Sequence, residues 1–192
     1  MKKHIFNIMS KIIYIPLENL PQRYTEMMNN ALYLKTDIAL YPKIEIDKQI
    51  KRGQFLDIVN TCKFKAAQLQ MIADLFNEGK VNDGDAFLVG DIFFPGIEMI
   101  KYMAELQDIN VRVYGINYAG RADKTDFVQK LGYWADASEA GYHFICDGIF
   151  VGSEDHRNNV ILGFNKLDDN RFAIATIVRD TKWLGRAHKI EI

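Results

Sequence analysis

The chain has 192 residues, 48% of them hydrophobic and 26% charged, with a formal net charge of −1. This length holds one α/β domain with a full core and crowds two sizeable ones; the composition excludes a disordered chain. The near-neutral balance argues against a protein that coats nucleic acid through bulk charge, while leaving a local basic patch compatible.

Cysteines occur only at Cys62 and Cys146, without paired metal-ligand spacing. A disulfide scaffold and a metal site are therefore not expected, and a reducing cytoplasm is the natural compartment. The first 20 residues carry a basic tip and apolar side chains. Asn7, Ser10 and Lys11 interrupt the run, and no small-residue cleavage site follows. Neither a signal peptide nor a membrane helix is expected, because a span needs roughly 20 apolar residues. Met9-Ser10-Lys11 offers a second translation start beside Met1, which would make the first eight residues an appendage; the domain itself is expected over 12–180, after an N-terminal appendage of residues 1–11.

Ile12–Leu17 reads as the first strand, and Glu18-Asn19-Leu20-Pro21 turns into a helix from about Gln22 to Leu32. Ile38–Ile46 reads as a second strand at or near an edge, since Pro42 has no ladder donor. Gly53 and the polar Lys51-Arg52 favour a loop before a short extended piece, Phe55–Val59. Lys65–Glu78 is the clearest helix: Leu69, Ile72, Ala73 and Phe76 fall at i, i+3, i+4 and i+7, and Gly79 supplies a stop.

Asn82–Asp85 is a turn, and Ala86–Val89 a buried strand. Pro95 opens the following helix, at a position where its missing N–H is harmless; that helix runs to about Gln107. Val111–Tyr118 is the next strand, with Asn117 near its end. Thr125 caps a long, broken helical region whose face is Phe127, Leu131, Trp134, Ser138 and Tyr142. Gly148–Gly152 is a strand, and Ser153 caps a helix with Glu154 and Asp155 in its first turn. Phe172–Val178 is the last strand, and residues 181–192 form a C-terminal tail. Alternating strands and helices predict a Rossmann-like α/β fold: a mostly parallel sheet with helices on both faces.

In such sheets ligands bind at the carboxyl ends of the strands, so Asp91 is the leading catalytic candidate, a carboxylate placed to act as a base on a hydroxyl. Its alternative role is to cap the loop or helix, and Glu98 is either its partner or a solvated first-turn residue. Glu18, Arg23 and Tyr24 follow the first strand, where an arginine fork suits phosphate or carboxylate; a surface Arg–Glu pair explains them equally. Asn117, Tyr118, Gly120 and Arg121 form a candidate binding loop, or a plain turn, with Gly120 admitting close backbone approach. Glu154 and His156 complete the candidates, His156 for proton transfer near neutral pH or as a structural residue.

Two basic clusters, Lys48, Lys51, Arg52, Lys63 and Lys65, and Arg179, Lys182, Arg186 and Lys189, are either solvated faces or phosphate contacts. No G-x-G-x-x-G fingerprint, P-loop or nucleophile elbow occurs, which removes the usual support for NAD, ATP and serine-hydrolase chemistry.

The segments IIYIPLENLPQRYT, FLVGDIFFPGIEMIKYMAEL, VYGINYAGRADKTDF and CDGIFVGSEDHRNNV together resemble the N-terminal, acceptor-side half of phage-encoded glycosyltransferase-like proteins of the GT-B architecture. The resemblance covers most of Ile12–Trp183. It implies transfer of a sugar from a nucleotide sugar to a hydroxyl acceptor, with Asp91 as acceptor base and Glu18 and Arg23 facing the cleft. The acceptor it suggests is a modified base in phage DNA, a substrate that must be flipped out of the stack. It further implies no tightly bound cofactor, residence in the host cytoplasm, and a half-enzyme completed by a homodimer or a separate donor-domain chain. The alternative is a catalytically inactive Rossmann-like binding or interaction module.

Overall fold

Short runs of branched and aromatic residues, IIYI, AFLV, RVYGIN and GIFV, are buried between polar turns and make the strands. In this computed structural model the described residues are 10–17, 36–44, 58–163 and 172–174. They contain strands β1 (Ile12–Ile15), β2 (Ile38–Ala39), β3 (Ala86–Val89), β4 (Arg112–Asn117), β5 (Gly148–Val151) and β6 (Phe172–Ile174). All pairings are parallel, in the order β2-β1-β3-β4-β5-β6. The helices are α1 (Ile58–Asn77), α2 (Ile97–Leu106), α3 (Trp134–Ile145) and α4 (Glu154–Gly163), with a 3-10 turn at Phe127–Lys130. The fold is the Rossmann-like α/β class expected from the sequence.

Residues alternate across each strand, so one sheet face carries Ile13, Ile15, Phe87, Val89, Val113, Ile149 and Val151. Ile72 and Phe76 of α1, Ile97, Ile100 and Ala104 of α2, and Tyr142 and Ile145 of α3 pack against it. The opposite face carries a smaller cluster, Tyr14, Leu88 and Ile116, flanked by Tyr114, Tyr118 and Phe150. The main core thus lies between the sheet and the layer formed by α1, α2 and α3.

Several boundaries differ from those the sequence predicts. Helix α1 begins at Ile58, so Ile58 and Val59 are helical rather than extended. Its buried stripe starts upstream, at Phe64, Gln68, Ile72 and Phe76, and includes a polar residue that apolar periodicity passes over. The Gln68 side-chain amide donates to Pro16 O (2.8 Å) and Leu40 O (3.1 Å), joining the carboxyl ends of β1 and β2. Strand β2 is an edge, as expected, but stops at Ala39, ahead of Pro42.

Helix α2 starts at Ile97, with Gly96 as its cap, so Pro95 lies before the helix and not in its first turn. Asp126 rather than Thr125 caps the 3-10 turn: its carboxylate accepts from Val128 N at 2.9 Å. On α3 the buried residues are Ala135, Glu139 and His143, while Leu131 and Trp134 are exposed. Ser153 caps α4 as predicted, accepting from His156 N at 3.1 Å. The helix placed at Gln22–Leu32 and the tail over 181–192 lie outside the described residues.

Candidate functional site

The chain leaves β1 towards β2 and leaves β3 towards β4, in opposite directions along the sheet. The order therefore reverses between β1 and β3, and the carboxyl ends at such a reversal frame a crevice. Gly90 N donates to Ile15 O at 2.8 Å. A Cβ at position 90 would lie 2.9 Å from Leu17 N and 3.0 Å from Ile15 O, so a glycine is needed for β3 to leave the sheet this close to β1.

Asp91 follows directly, at the crevice. One carboxylate oxygen is 3.0 Å from Lys65 Nζ and the other accepts from Phe93 N at 3.2 Å. Lys65 is buried and also donates to Phe93 O, so α1 clamps the loop after β3. This removes Lys65 from the solvated basic cluster the sequence suggests. The Asp91 side chain keeps 15% of its surface exposed. Glu98 is exposed in the first turn of α2. Tyr142 of α3 lies edge-on to Phe93, with ring centroids 6.1 Å apart. Burial raises its phenol pKa, and the negative charges of Glu98 and Asp91 add to that shift. These groups share one neighbourhood.

A second group lies at the carboxyl end of β4. Asn117 is fully buried on the face of the main core, while Tyr118 packs with the cluster on the opposite face. The two neighbours therefore do not line one pocket wall. Asn117 Nδ2 is 3.0 Å from His143 Nε2, and His143 Nδ1 is 2.7 Å from Glu139 O. A carbonyl can only accept, so Nδ1 carries the proton and Nε2 accepts from the Asn117 amide. Burial pushes the His143 pKa down to about 4, which agrees with a neutral ring.

Glu139 is fully buried beside this pair, with Oε2 accepting from Arg121 N at 2.8 Å. Burial pushes its carboxyl up to about 7, outweighing the Arg121 N–H bond that favours the anion. The Arg121 guanidinium forms a fork with Asp136 and donates to Val128 O, Gln129 O and Leu131 O at 3.0–3.1 Å. It therefore ties the 3-10 turn to α3, and its donors are directed at the protein itself. Asp123 accepts from Thr125 N and Oγ1, which hold its carboxyl below the ordinary range. His156 feels Asp123 from α4, although burial pushes its pKa down on balance. Glu154 is exposed and pairs with Arg157 at 2.9 Å.

Comparison with models of known protein families found no match, and comparison with curated proteins found none either.

The sequence-predicted candidates thus fall into two groups along one edge of the sheet. Asp91 stands at the β1/β3 reversal; Asn117, Gly120, Arg121 and His156 gather at the ends of β4 and β5. Glu18, Arg23 and Tyr24 lie outside the described residues. Sequence reasoning missed Lys65, Glu139 and His143. Glu139 and His143 stand at i and i+4 on one helix face with Ala135, a spacing that marks a shared face once polar residues are allowed into the pattern. Among the described residues no cluster suited to a metal ion occurs, and no helix is long and apolar enough to cross a membrane.

Proposed function

We propose that this chain is the acceptor-side domain of a glycosyltransferase-like protein, transferring a sugar from a nucleotide sugar to a hydroxyl acceptor bound in the crevice between β1 and β3. The observation that carries this reading is a partly exposed carboxylate, Asp91, at the topological reversal of a parallel sheet, where ligands of doubly wound folds bind. In this role Asp91 takes the proton from the acceptor hydroxyl as its oxygen bonds to the anomeric carbon, the bond from that carbon to the donor's phosphate oxygen breaks and the nucleotide leaves with the electron pair; Lys65 fixes the orientation of the carboxylate. A modified base in phage DNA is the proposed acceptor. The donor is held by a second domain outside the sheet described here, contributed by a dimer partner or another chain.

The test is transfer of label from UDP-glucose to a hydroxymethylated DNA duplex, for wild type and Asp91→Asn, alongside light scattering of the chain with and without both substrates. Label transfer lost in Asp91→Asn supports the reading. Transfer equal to wild type would remove Asp91 from the mechanism.

A second reading is favoured by the same carboxylate. Both of its oxygens are engaged, one by Lys65 and one by Phe93 N. A group held in this way serves equally to rigidify the mouth of a binding crevice without chemistry. Thermal stabilisation by nucleotide, sugar or DNA with no turnover would select this second reading.

A further inference from the structure

Three features converge at the carboxyl end of β4. The backbone of Gly120, at φ 149°, lies directly against the Glu139 carboxyl: a Cβ there would collide with Oε1 and sit 2.8 Å from Cδ and Oε2. Oε1 is buried and has no hydrogen-bond partner among the described residues, and the same holds for Asn117 Oδ1. The other carboxylate oxygen holds the Arg121 amide at 2.8 Å. On this side the loop backbone therefore covers the carboxyl group, with Gly120 leaving just the space that a side chain would fill.

We propose that Glu139 is a proton-controlled latch on the loop from Tyr118 to Asp123: neutral, it holds the backbone of Gly120 and Arg121 closed against α3; ionised, it must be hydrated, and hydration requires that backbone to lift away while the Arg121 guanidinium stays bound to Asp136. A buried carboxylate without compensating bonds is costly, and the alternatives are to bind a proton or to admit water. The shift of its carboxyl to about 7 is in the direction this geometry requires. The charged groups facing it favour the neutral form on balance. Asp126, ahead of the 3-10 turn, and Asp136, on α3, oppose the anion, while Arg121 favours it. The Arg121 charge is already paired with Asp136. His143 on the same helix is neutral and binds the Glu139 carbonyl, and His156 on α4 opposes a charge on His143. The latch rests on this cluster alone and is independent of the reaction proposed above.

The test is amide hydrogen exchange at Arg121 between pH 5 and 8, corrected for the intrinsic rate. An open state with an ordinary carboxyl binds fewer protons than the closed one between about pH 4.5 and 7. Protection at Arg121 therefore falls as pH rises above 5, by up to about tenfold per pH unit, because opening releases the proton that the closed loop holds. In Glu139→Gln the protection is independent of pH. A flat wild-type profile, or a variant that follows the wild type, would overturn the proposal. Because the variant can fail to fold, the Glu139 carboxyl carbon is also titrated by NMR in the wild type. A raised midpoint accompanied by loss of Arg121 protection over the same pH range supports the latch; a midpoint near 4.5, or a raised one with Arg121 protection unchanged, overturns it.

Discussion

Lys65, on the second turn of α1, reaches Asp91 at the end of β3 across 26 residues of sequence, with Nζ 3.0 Å from Oδ2. This contact joins a helix to the loop at the mouth of the candidate crevice. It also separates two roles that one substitution would otherwise confuse. Asp91→Asn removes the charge that compensates the buried Lys65 ammonium and leaves one acceptor oxygen for two donors, Lys65 Nζ and Phe93 N, and destabilises the fold by about 2–3 kcal/mol, less than a fully buried pair because Asp91 is partly exposed. Lys65→Met removes the same pair while keeping the carboxylate. Denaturation of both variants, set beside their transfer activities, tells a base from a brace: if Asp91 is the base, Asp91→Asn abolishes turnover while Lys65→Met, which keeps the carboxylate but loosens its orientation, lowers it only in part.

Gly90→Ala is expected to be far worse than an ordinary glycine replacement. Its new methyl meets backbone atoms of Ile15 and Leu17, which cannot rotate aside as side chains do. The cost is at least 1–3 kcal/mol, the range for overpacking, and falls at the β1/β3 junction. Urea unfolding gives the magnitude, and loss of protection at the Gly90 amide, which bonds Ile15 O, gives the location.

Stability against pH follows from two buried groups of opposite sign. Folded His143 has its pKa lowered from 6.5 to about 4, so the unfolded chain binds the extra proton, and its contribution is lost as pH falls from 6.5 to 4. Folded Glu139 has its pKa raised from 4.5 to about 7, so the folded chain binds the extra proton, and its contribution is lost as pH rises from 4.5 to 7. Between pH 4.5 and 6.5 the two slopes cancel. Replacing His143 by Gln leaves Glu139 unopposed, and stability then declines by about 3 kcal/mol across pH 4.5–7. Urea midpoints at half-unit pH steps check this; a flat profile in the variant contradicts it.

Thiol labelling offers a simple check on the long α1. Cys62 is exposed on that helix and Cys146 is fully buried after α3. A native sample is expected to take up one equivalent of a thiol reagent at once and the second only on unfolding, as read by mass spectrometry.

Much of the scaffold was legible because strand cores are local apolar runs: the central strands Ala86–Val89 and Gly148–Val151 need no distant information. The α3 face was misjudged for a physical reason. Its buried side is Ala135, Glu139 and His143, polar groups made tolerable by Arg121 N and Asn117, and apolar periodicity selected Leu131 and Trp134 instead. Asp91 could be placed at a strand end from sequence. Its lysine could not, since a pair so far apart in the chain leaves no local pattern and Lys65 looked like one more member of a basic run. Arg121 was legible as a loop residue, but its orientation towards Asp136 and the turn carbonyls depends on packing that forms only in the fold.

The two ends of the sheet differ in how their loose ends are tied. At the amino ends, aspartates stitch strand to strand: Asp37 accepts from Ile12 N, Asp85 from Lys11 N and Asn82 N, Asp83 from Asn110 N, and Asp147 from Val113 N, all at 2.7–2.9 Å. One margin of the sheet is thereby anchored by carboxylates bonded to backbone amides. The opposite margin, where Asp91 and Glu139 stand, is tied instead by side chains that arrive from the helices and loops, Gln68 and Lys65 from α1 and Arg121 from the loop after β4, so a substitution there alters the crevice mouth without touching the bonds that pair the strands.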